Sequence, residues 1–178
     1  MSPETRHRGQ RGFTLTELMI VIVILGILAA IAILSFRKYV QHAKTSEVYT
    51  MLGDIRAKQE GYRAEFSQYC DVSGSHQLAD GQRHPVAAPR QDGQKVPWGT
   101  PNIRWQQLGF AAHSPVYAGY TTAAGLPTNN CTGDCPTMNV TDHWWAAWGI
   151  LDLDGDGTFS TYESISATTD IHVLNETE

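Results

Sequence analysis

Apolar residues are unevenly distributed along the chain, with a dense N-terminal segment and a more polar remainder. Residues 18–34 form an unbroken run of 17 apolar or small residues, LMIVIVILGILAAIAIL. As a helix at ~1.5 Å per residue this run covers ~26 Å, slightly less than a ~30 Å hydrocarbon core. Phe13, Leu15 and Phe36 can extend it. The pattern therefore predicts an apolar helix long enough to span a membrane.

From residue 37 to about residue 66 the pattern becomes amphipathic. Apolar residues recur mostly at three- and four-residue steps and charged residues lie between them, which is typical of a helix with one buried face. We predict one helix from about Phe13 to Phe66, with its second half packed on a domain. The alternative is a transmembrane helix followed by a separate domain helix, with a bend near Ser35.

The remainder of the chain predicts a loop followed by strands. Residues 70–101 are rich in Gly, Pro, Asp and Gln and predict a long surface loop. Runs rich in Trp, Tyr, Ile, Thr and Val then predict four strands, at 103–110, 116–122, 144–151 and 159–167. Antiparallel strands against one helix make an α+β domain. We expect Trp144, Trp145 and Trp148 to pack in the core or on a strand face; a sugar-binding or adhesive surface is the alternative.

Charge is distributed asymmetrically along the 178 residues, whose formal net charge is −5. No Lys or Arg follows Arg104, whereas acidic residues continue through 134–178. This half repels nucleic acid, whose binding depends on cationic contacts to phosphate, and it suits a divalent cation. The basic residues Arg6, Arg8 and Arg11 precede the apolar run, so we interpret them as the flank of a targeting segment.

The chain contains three cysteines, Cys70, Cys131 and Cys135. In an exported domain the last two can close a small loop, which leaves Cys70 free or paired between chains. Three unconnected thiols are the alternative. Zinc is not predicted, because the thiols lack a paired-ligand framework.

No arrangement of residues predicts an enzyme. The sequence lacks a convincing Ser/His/Asp or Cys/His order, a phosphate-binding glycine loop and a His-rich metal framework. We therefore predict that the chain is not an enzyme.

A calcium-loop pattern lies near the C-terminus. The segment DLDGDGTFSTYE, residues 152–163, fits the spacing D-x-D-x-D-G-x5-E. Hard cations prefer oxygen ligands, and alternating aspartates bring carboxylates together in a tight turn. The predicted ligands are Asp152, Asp154, Asp156, the Thr158 carbonyl, Ser160 directly or through water, and Glu163.

The flanks of this pattern resemble strands rather than the helices of an EF-hand, so we predict structural Ca²⁺ in a strand-to-strand loop. A strand can aim Glu163 away from that loop. The alternative is an acidic, metal-free turn.

The N-terminal segment has a second interpretation besides a membrane anchor. A secretory signal peptide has a basic flank, an apolar segment and a small-residue cleavage site, which Ala30-Ile31-Ala32 resembles. That interpretation does not explain Glu17 at the start of the apolar segment. It also leaves unexplained a helical pattern that continues for about thirty residues beyond the cleavage site.

The stretch Gly12-Phe13-Thr14-Leu15-Thr16-Glu17-Leu18, with Gly26 to Ala32 after it, resembles the prepilin signature of type IV pilins and type II secretion pseudopilins. The resemblance implies cleavage after Gly12, N-methylation of Phe13 and a glutamate, Glu17, as the fifth mature residue. It also implies that Glu17 of one subunit neutralises the Phe13 amine of a neighbour. A carboxylate at the edge of an apolar helix is unfavourable unless paired; a snorkelling interfacial acid is the alternative.

The resemblance implies a pilin-like α+β fold, with a long N-terminal helix packed on a small antiparallel sheet. Its organisation is a cleaved leader (1–12), a hydrophobic transmembrane and filament-core helix (13–36), its amphipathic half (37–69) and a globular domain (70–178). Within that domain we expect a variable loop at 70–101 and the sheet with its calcium loop at 102–178. Many pilins carry proline where this chain has Leu34, so an unbroken helix is favoured here.

The implied function is that of a structural subunit of a type IV pilus-like filament. The implied partners are other filament subunits, the bacterial inner membrane and the prepilin peptidase/methyltransferase, and the subunit passes from the inner membrane to a periplasmic or cell-surface filament. A pseudopilin that serves protein export is one alternative. A membrane-anchored, calcium-dependent binding module is the other.

Overall fold

The computed structural model describes residues 12–78, 82–86, 93–133, 135, 138 and 141–175. The chain divides into two compact units, Met1–Val40 and Gln41–Glu178. Its helices and strands, in chain order, are α1 (Leu15–Phe66), β1 (Gln77–Leu78), α2 (Ile103–Leu108), β2 (Gly119–Gly125), β3 (Thr132–Gly133), β4 (Trp144–Leu151), β5 (Ser160–Ile165) and β6 (Ile171–Leu174).

Helix α1 is one continuous helix of 52 residues. The prediction of a single helix ending at Phe66 is confirmed, and Ser35 lies within it rather than between two helices. The helix ends where Ser67 adopts a left-handed φ of 59° and its N–H donates to the Arg63 carbonyl. Among the described residues, α1 is the only helix long and apolar enough to cross a membrane.

A four-stranded antiparallel sheet has the order β2-β4-β5-β6. Strand β4 has the predicted bounds, and β5 lies within the predicted 159–167. Strand β2 begins three residues later than the predicted 116–122, and β6 was not predicted. The α+β class is confirmed.

The strand predicted at 103–110 is wrong, because Ile103–Leu108 forms helix α2. The Asn102 carboxamide oxygen accepts hydrogen bonds from the N–H groups of Arg104 and Trp105 at 3.0 and 3.1 Å, which is an N-cap. At the other end Gly109 has φ 67°, the left-handed C-cap that glycine tolerates best. These two caps outweigh the strand propensity of the apolar residues between them.

The predicted loop at 70–101 is attached to the sheet in its described parts. His84 and Tyr120 exchange two backbone hydrogen bonds of 2.8 Å each, and Val96 and Val116 exchange two of 2.7 and 2.9 Å. Trp98 on the same segment is 5 % exposed. This segment is therefore partly a component of the core and not only a surface loop.

Within the second unit, α1 packs on one face of β4. Val48, Leu52 and Ile55 of α1 are fully buried in one cluster with Trp145 and other β4 residues. A Cβ atom on Gly149 would lie 2.6 Å from Val48 Cγ1. Glycine at this position therefore allows the helix to approach the strand closely.

The tryptophans of β4 are buried on both faces of the sheet. Trp145 packs on the α1 side, whereas Trp144 and Trp148 pack on the opposite face near Cys131, Cys135 and other residues. None of the three is more than 3 % exposed. The packing prediction is confirmed, and a binding surface made of these tryptophans is wrong.

A fully buried glutamine connects α1 to the rest of its unit. Gln59 Nε2 donates to the Cys70 carbonyl at 2.9 Å and to Thr122 Oγ1 at 3.2 Å. Its Oε1 accepts the Cys70 N–H at 2.9 Å. One side chain thus satisfies both backbone groups of Cys70, which have no water available in the core.

Replacing Gln59 by alanine leaves those buried groups without partners. We expect Gln59→Ala to lower the free energy of unfolding by about 2–4 kcal/mol, since each unsatisfied buried group costs about 1–3 kcal/mol. Tryptophan fluorescence during denaturant unfolding of the full chain in detergent micelles measures it. The control Gln68→Ala removes an exposed amide and should change stability by less than about 0.5 kcal/mol. Equal effects would contradict this account.

Candidate functional site

The predicted processing and assembly residues lie at the start of α1. Thr14 donates to Glu17 Oε2 through its N–H at 2.9 Å and through its hydroxyl at 2.8 Å. The Glu17 N–H donates back to Thr14 Oγ1 at 3.2 Å. This reciprocal arrangement is a capping box, which the sequence pattern T-x-x-E signals and which the sequence analysis did not identify.

The capping box occupies only one oxygen of Glu17. Both hydrogen bonds end on Oε2, and Oε1 accepts none from the described residues. Phe13 precedes the box and is 86 % exposed. The predicted leader, 1–12, lies outside the described residues except for Gly12. The free oxygen leaves Glu17 able to accept a further donor without disrupting the helix start.

The three aspartates of the calcium pattern lie together in the loop between β4 and β5. One carboxylate oxygen from each of Asp152, Asp154 and Asp156 lies within 4.8 Å of the other two. Asp152 is 4 % exposed, and its two oxygens accept the N–H groups of Gly155 at 2.7 Å and Gly157 at 3.0 Å. The hydrogen bonds within the turn therefore help to hold the three carboxylates close together.

Asp154 and Asp156, in the outer part of the loop, also accept hydrogen bonds from backbone N–H groups of the same loop. Asp154 Oδ1 accepts the Asp156 N–H at 3.1 Å, and Asp156 Oδ1 accepts the Thr158 N–H at 2.6 Å. Hydrogen bonding by the Thr158 backbone, and then by its side chain, lowers the pKa of Asp156. Three ionised carboxylates at this separation repel one another, and such an all-oxygen donor set suits a hard divalent cation.

The structure does not bring the other predicted side-chain ligands into this cluster. Ser160 begins β5, is fully buried, and its hydroxyl donates to the Asn175 carbonyl at 2.8 Å. Glu163 lies opposite Trp148 in the β4–β5 ladder and accepts the Trp148 indole N–H at 2.9 Å. Side chains alternate between sheet faces along a strand, so β5 aims Glu163 at Trp148.

A lysine that the sequence analysis missed attaches the acidic loop to α1. Lys44 is 7 % exposed, and its Nζ donates to the Leu153 carbonyl at 2.8 Å. Leu153 lies between Asp152 and Asp154 in the loop. Lys44 precedes the buried Val48 by four residues, so helical spacing was the signal that could have identified it.

The cysteines differ in environment. Cys131 and Cys135 form a disulfide, so the alternative of three unconnected thiols is wrong. Cys70 is a free, buried thiol. Burial raises the pKa of Cys70 to about 11, which makes the reactive thiolate scarce at neutral pH. Its burial disfavours the alternative of a bond between chains.

The buried Glu163 makes stability depend on pH. Burial raises the pKa of Glu163 above its ordinary 4.5, and the Trp148 hydrogen bond partly opposes this shift. The folded chain therefore holds this proton more tightly than the unfolded chain does. The stability that the protonated group contributes is complete below the unfolded pKa and is lost as pH rises through the folded pKa.

We expect Glu163→Gln to gain stability relative to the wild-type chain as pH rises from about 4.5 to 7. The glutamine cannot ionise, and its carbonyl can keep the indole hydrogen bond. Denaturant unfolding across this pH range, in buffer with a chelator, measures the difference. The control Glu65→Gln, at an exposed helical position, should give a pH profile parallel to the wild-type profile. A parallel profile for Glu163→Gln would contradict the argument.

Comparison with known proteins identifies the N-terminal segment. Residues 7–33 match the family model described as the prokaryotic N-terminal methylation motif. The chain is 35 % identical over 146 residues to the type IV major pilin protein PilA of Myxococcus xanthus. The aligned segment covers 82 % of this chain and 49 % of that protein.

Two other relatives match shorter segments. A fimbrial protein of Moraxella nonliquefaciens is 42 % identical over 72 residues, 40 % of this chain and 46 % of the relative. The type IV major fimbrial protein FimA of Dichelobacter nodosus is 49 % identical over 51 residues, 29 % of this chain and 33 % of the relative. The chain thus spans about half the length, or less, of these curated relatives. Because the matched motif holds Gly12, Phe13 and Glu17 in register and the α+β architecture continues beyond it, the chain belongs to the type IV pilin family.

Proposed function

We propose that the chain is a structural subunit of a type IV pilus-like filament and polymerises through its N-terminal helix after cleavage between Gly12 and Phe13. The observation that carries the proposal is the first half of α1, which presents an exposed apolar surface. At its start, Glu17 has only one of its two carboxylate oxygens in a hydrogen bond with the described residues. The large apolar side chains from Leu18 to Leu34 are 47–66 % exposed in the single chain. Such a surface requires lipid or neighbouring subunits.

Assembly follows from two kinds of interaction in this proposal. Apolar burial between helices supplies the affinity, at roughly 25 cal/mol per Å² removed from water. Cleavage creates an α-amino group on Phe13, which donates a hydrogen bond to Glu17 Oε1 of a neighbouring subunit. Because both charges are then neutralised in an apolar environment, the pair fixes the axial register of the subunits.

The route to the filament follows the same surface. Before assembly the apolar segment anchors the subunit in the bacterial inner membrane, where the prepilin peptidase/methyltransferase processes it. The finished filament is periplasmic or on the cell surface. Relatives named as major pilins and fimbrial proteins support a structural, non-catalytic role and favour a pilus subunit over a pseudopilin.

Replacing Glu17 by valine tests the assembly proposal. We expect Glu17→Val to insert into the membrane normally but to reduce subunit in the sheared filament fraction more than tenfold, because a neighbour's amine then lacks its carboxylate. Immunoblots of the membrane fraction and of the sheared fraction measure membrane insertion and filament assembly, respectively. The matched control Glu65→Val, on an exposed face of α1, should assemble. Normal filaments from Glu17→Val would favour a monomeric membrane-anchored binding module instead.

We also propose that the Asp152–Asp156 loop holds structural Ca²⁺. Asp152, Asp154 and Asp156 would hold the ion, which supplies positive charge between carboxylates that otherwise repel one another. The fit rests on three converging oxygen donors and on a loop fixed to α1 through Lys44. The ion would stabilise the β4–β5 connection and the attachment of that connection to the helix.

Calorimetry on the full chain in detergent micelles tests the calcium proposal. We expect saturable Ca²⁺ binding and a higher melting temperature, with about 2.7 kcal/mol of stabilisation at 100 times the Kd. Asp154→Asn should weaken binding at least tenfold, because it removes one charged donor. Asp170→Asn changes an exposed acid outside the cluster and should bind normally. Absence of Ca²⁺ binding by the wild-type chain would overturn the proposal.

A further inference from the structure

A polar cavity lies near the C-terminal end of α1, within the second unit. Its volume is about 260 Å³, slightly below the range of roughly 300–1,000 Å³ for pockets that hold drug-sized ligands. Neither polymerisation nor the acidic loop uses its lining residues. Its polar and aromatic lining includes Tyr62, Gln68, Asp71, His76, Arg104, Gln107 and Asn129.

Arg104 is a positioned cation in this cavity. Its Nη1 donates to the Asp71 carbonyl at 3.2 Å. A Cβ atom on Gly74 would lie 2.4 Å from Arg104 Cζ, so the guanidinium lies directly against the Gly74 backbone. No carboxylate of the described residues forms an ion pair with it. Arg104 is exposed, so its remaining N–H groups are accessible to a ligand, and a guanidinium can bind a carboxylate through two hydrogen bonds.

Asp71, the only acid among the described lining residues, is already hydrogen-bonded to its own neighbours. Asp71 Oδ1 accepts the Ser73 hydroxyl at 2.6 Å, and Oδ2 accepts the His76 N–H at 3.2 Å. The ring Nδ1 of His76 contacts the Ala124 carbonyl at 2.5 Å and Asp71 Oδ2 at 3.4 Å. Because these donors surround Asp71, Arg104 remains the charge available to a ligand.

The rest of the lining offers neutral hydrogen-bonding groups and an aromatic ring. The side-chain amides of Gln68, Gln107 and Asn129 make no hydrogen bond within the part of the chain that the structure describes. Each amide can both donate and accept, which suits hydroxyl groups. Tyr62 is half-buried and its ring lies 4.5 Å from that of Phe66, which gives the cavity an apolar wall for a C–H face.

We propose that this cavity binds a sugar acid, either free or as a unit of an acidic polysaccharide. The carboxylate pairs with Arg104, the hydroxyls bond to the three amides, and the sugar ring packs on Tyr62. The observation that carries the proposal is one exposed guanidinium held against Asp71 and Gly74, beside three amides that make no hydrogen bond with the described residues, in a cavity of monosaccharide size. This inference is independent of filament assembly and of calcium.

Ligand-observed NMR titration of the full chain in detergent micelles tests the proposal with glucuronate and glucose, which differ at one carbon by the carboxylate. We expect glucuronate to bind with a Kd on the order of 1 mM, as the ligand efficiency of such a small molecule allows, and glucose to bind at least tenfold more weakly. A short oligogalacturonide serves as the polysaccharide probe. Tighter binding of that probe would identify the polysaccharide as the source.

Variants connect the binding to the cavity. Arg104→Met should weaken glucuronate binding at least tenfold, whereas the exposed helical cation Lys58 gives the matched control Lys58→Met, which should bind normally. If Arg104→Met does not fold, Gln107→Leu at an exposed position should still weaken binding severalfold. The proposal is overturned if neither acid probe binds the wild-type chain, if glucose binds as well as glucuronate, or if the cavity variants bind as the wild type does.

Discussion

The burial of α1 on β4 is the interaction on which the rest of the second unit depends. The helix supplies a stripe of fully buried aliphatic residues, Val48, Leu52 and Ile55, and Gly149 leaves the room that this contact requires. The stripe belongs to the same continuous helix as the apolar segment from Leu18 to Leu34. One element therefore carries both the core of the domain and the surface proposed for polymerisation.

Polar side chains of α1 attach the loops that surround this core. Lys44 bonds to the Leu153 carbonyl, Glu47 accepts the Tyr117 N–H at 2.7 Å and Gln59 bonds to both backbone groups of Cys70. Arg56 adds a bond of 3.2 Å to the Ile165 carbonyl. Because three of these four attachments join residues 70 or more positions apart in sequence, the helix organises the connections as well as the sheet. A cation in the acidic loop would therefore stabilise a segment already fixed to α1 by Lys44.

Features that follow from hydrophobic periodicity or residue spacing could be predicted from the sequence. Features that depend on local capping or on contacts between distant residues could not. The long helix and β4 follow from extended patterns, and the aspartate spacing predicted the loop in which three carboxylates converge. Helix α2 was missed because six residues carry little periodicity, although Asn102 and Gly109 signalled its ends. Lys44 and Gln59 were missed as anchors because polar residues on a helix are normally expected to face water. Their burial depends on partners about 109 and 11 residues away.

Mass spectrometry of the N-terminal peptide, from sheared surface filaments and from membranes separately, tests the central claim most directly. The proposed function predicts a peptide that begins at an N-methylated Phe13 in the filament fraction. The same peptide found only in membranes would contradict a pilus subunit and indicate a pseudopilin or a minor subunit. Cleavage near Ala32, or an uncleaved leader in both fractions, would contradict processing at Gly12 and with it the proposed route to a filament.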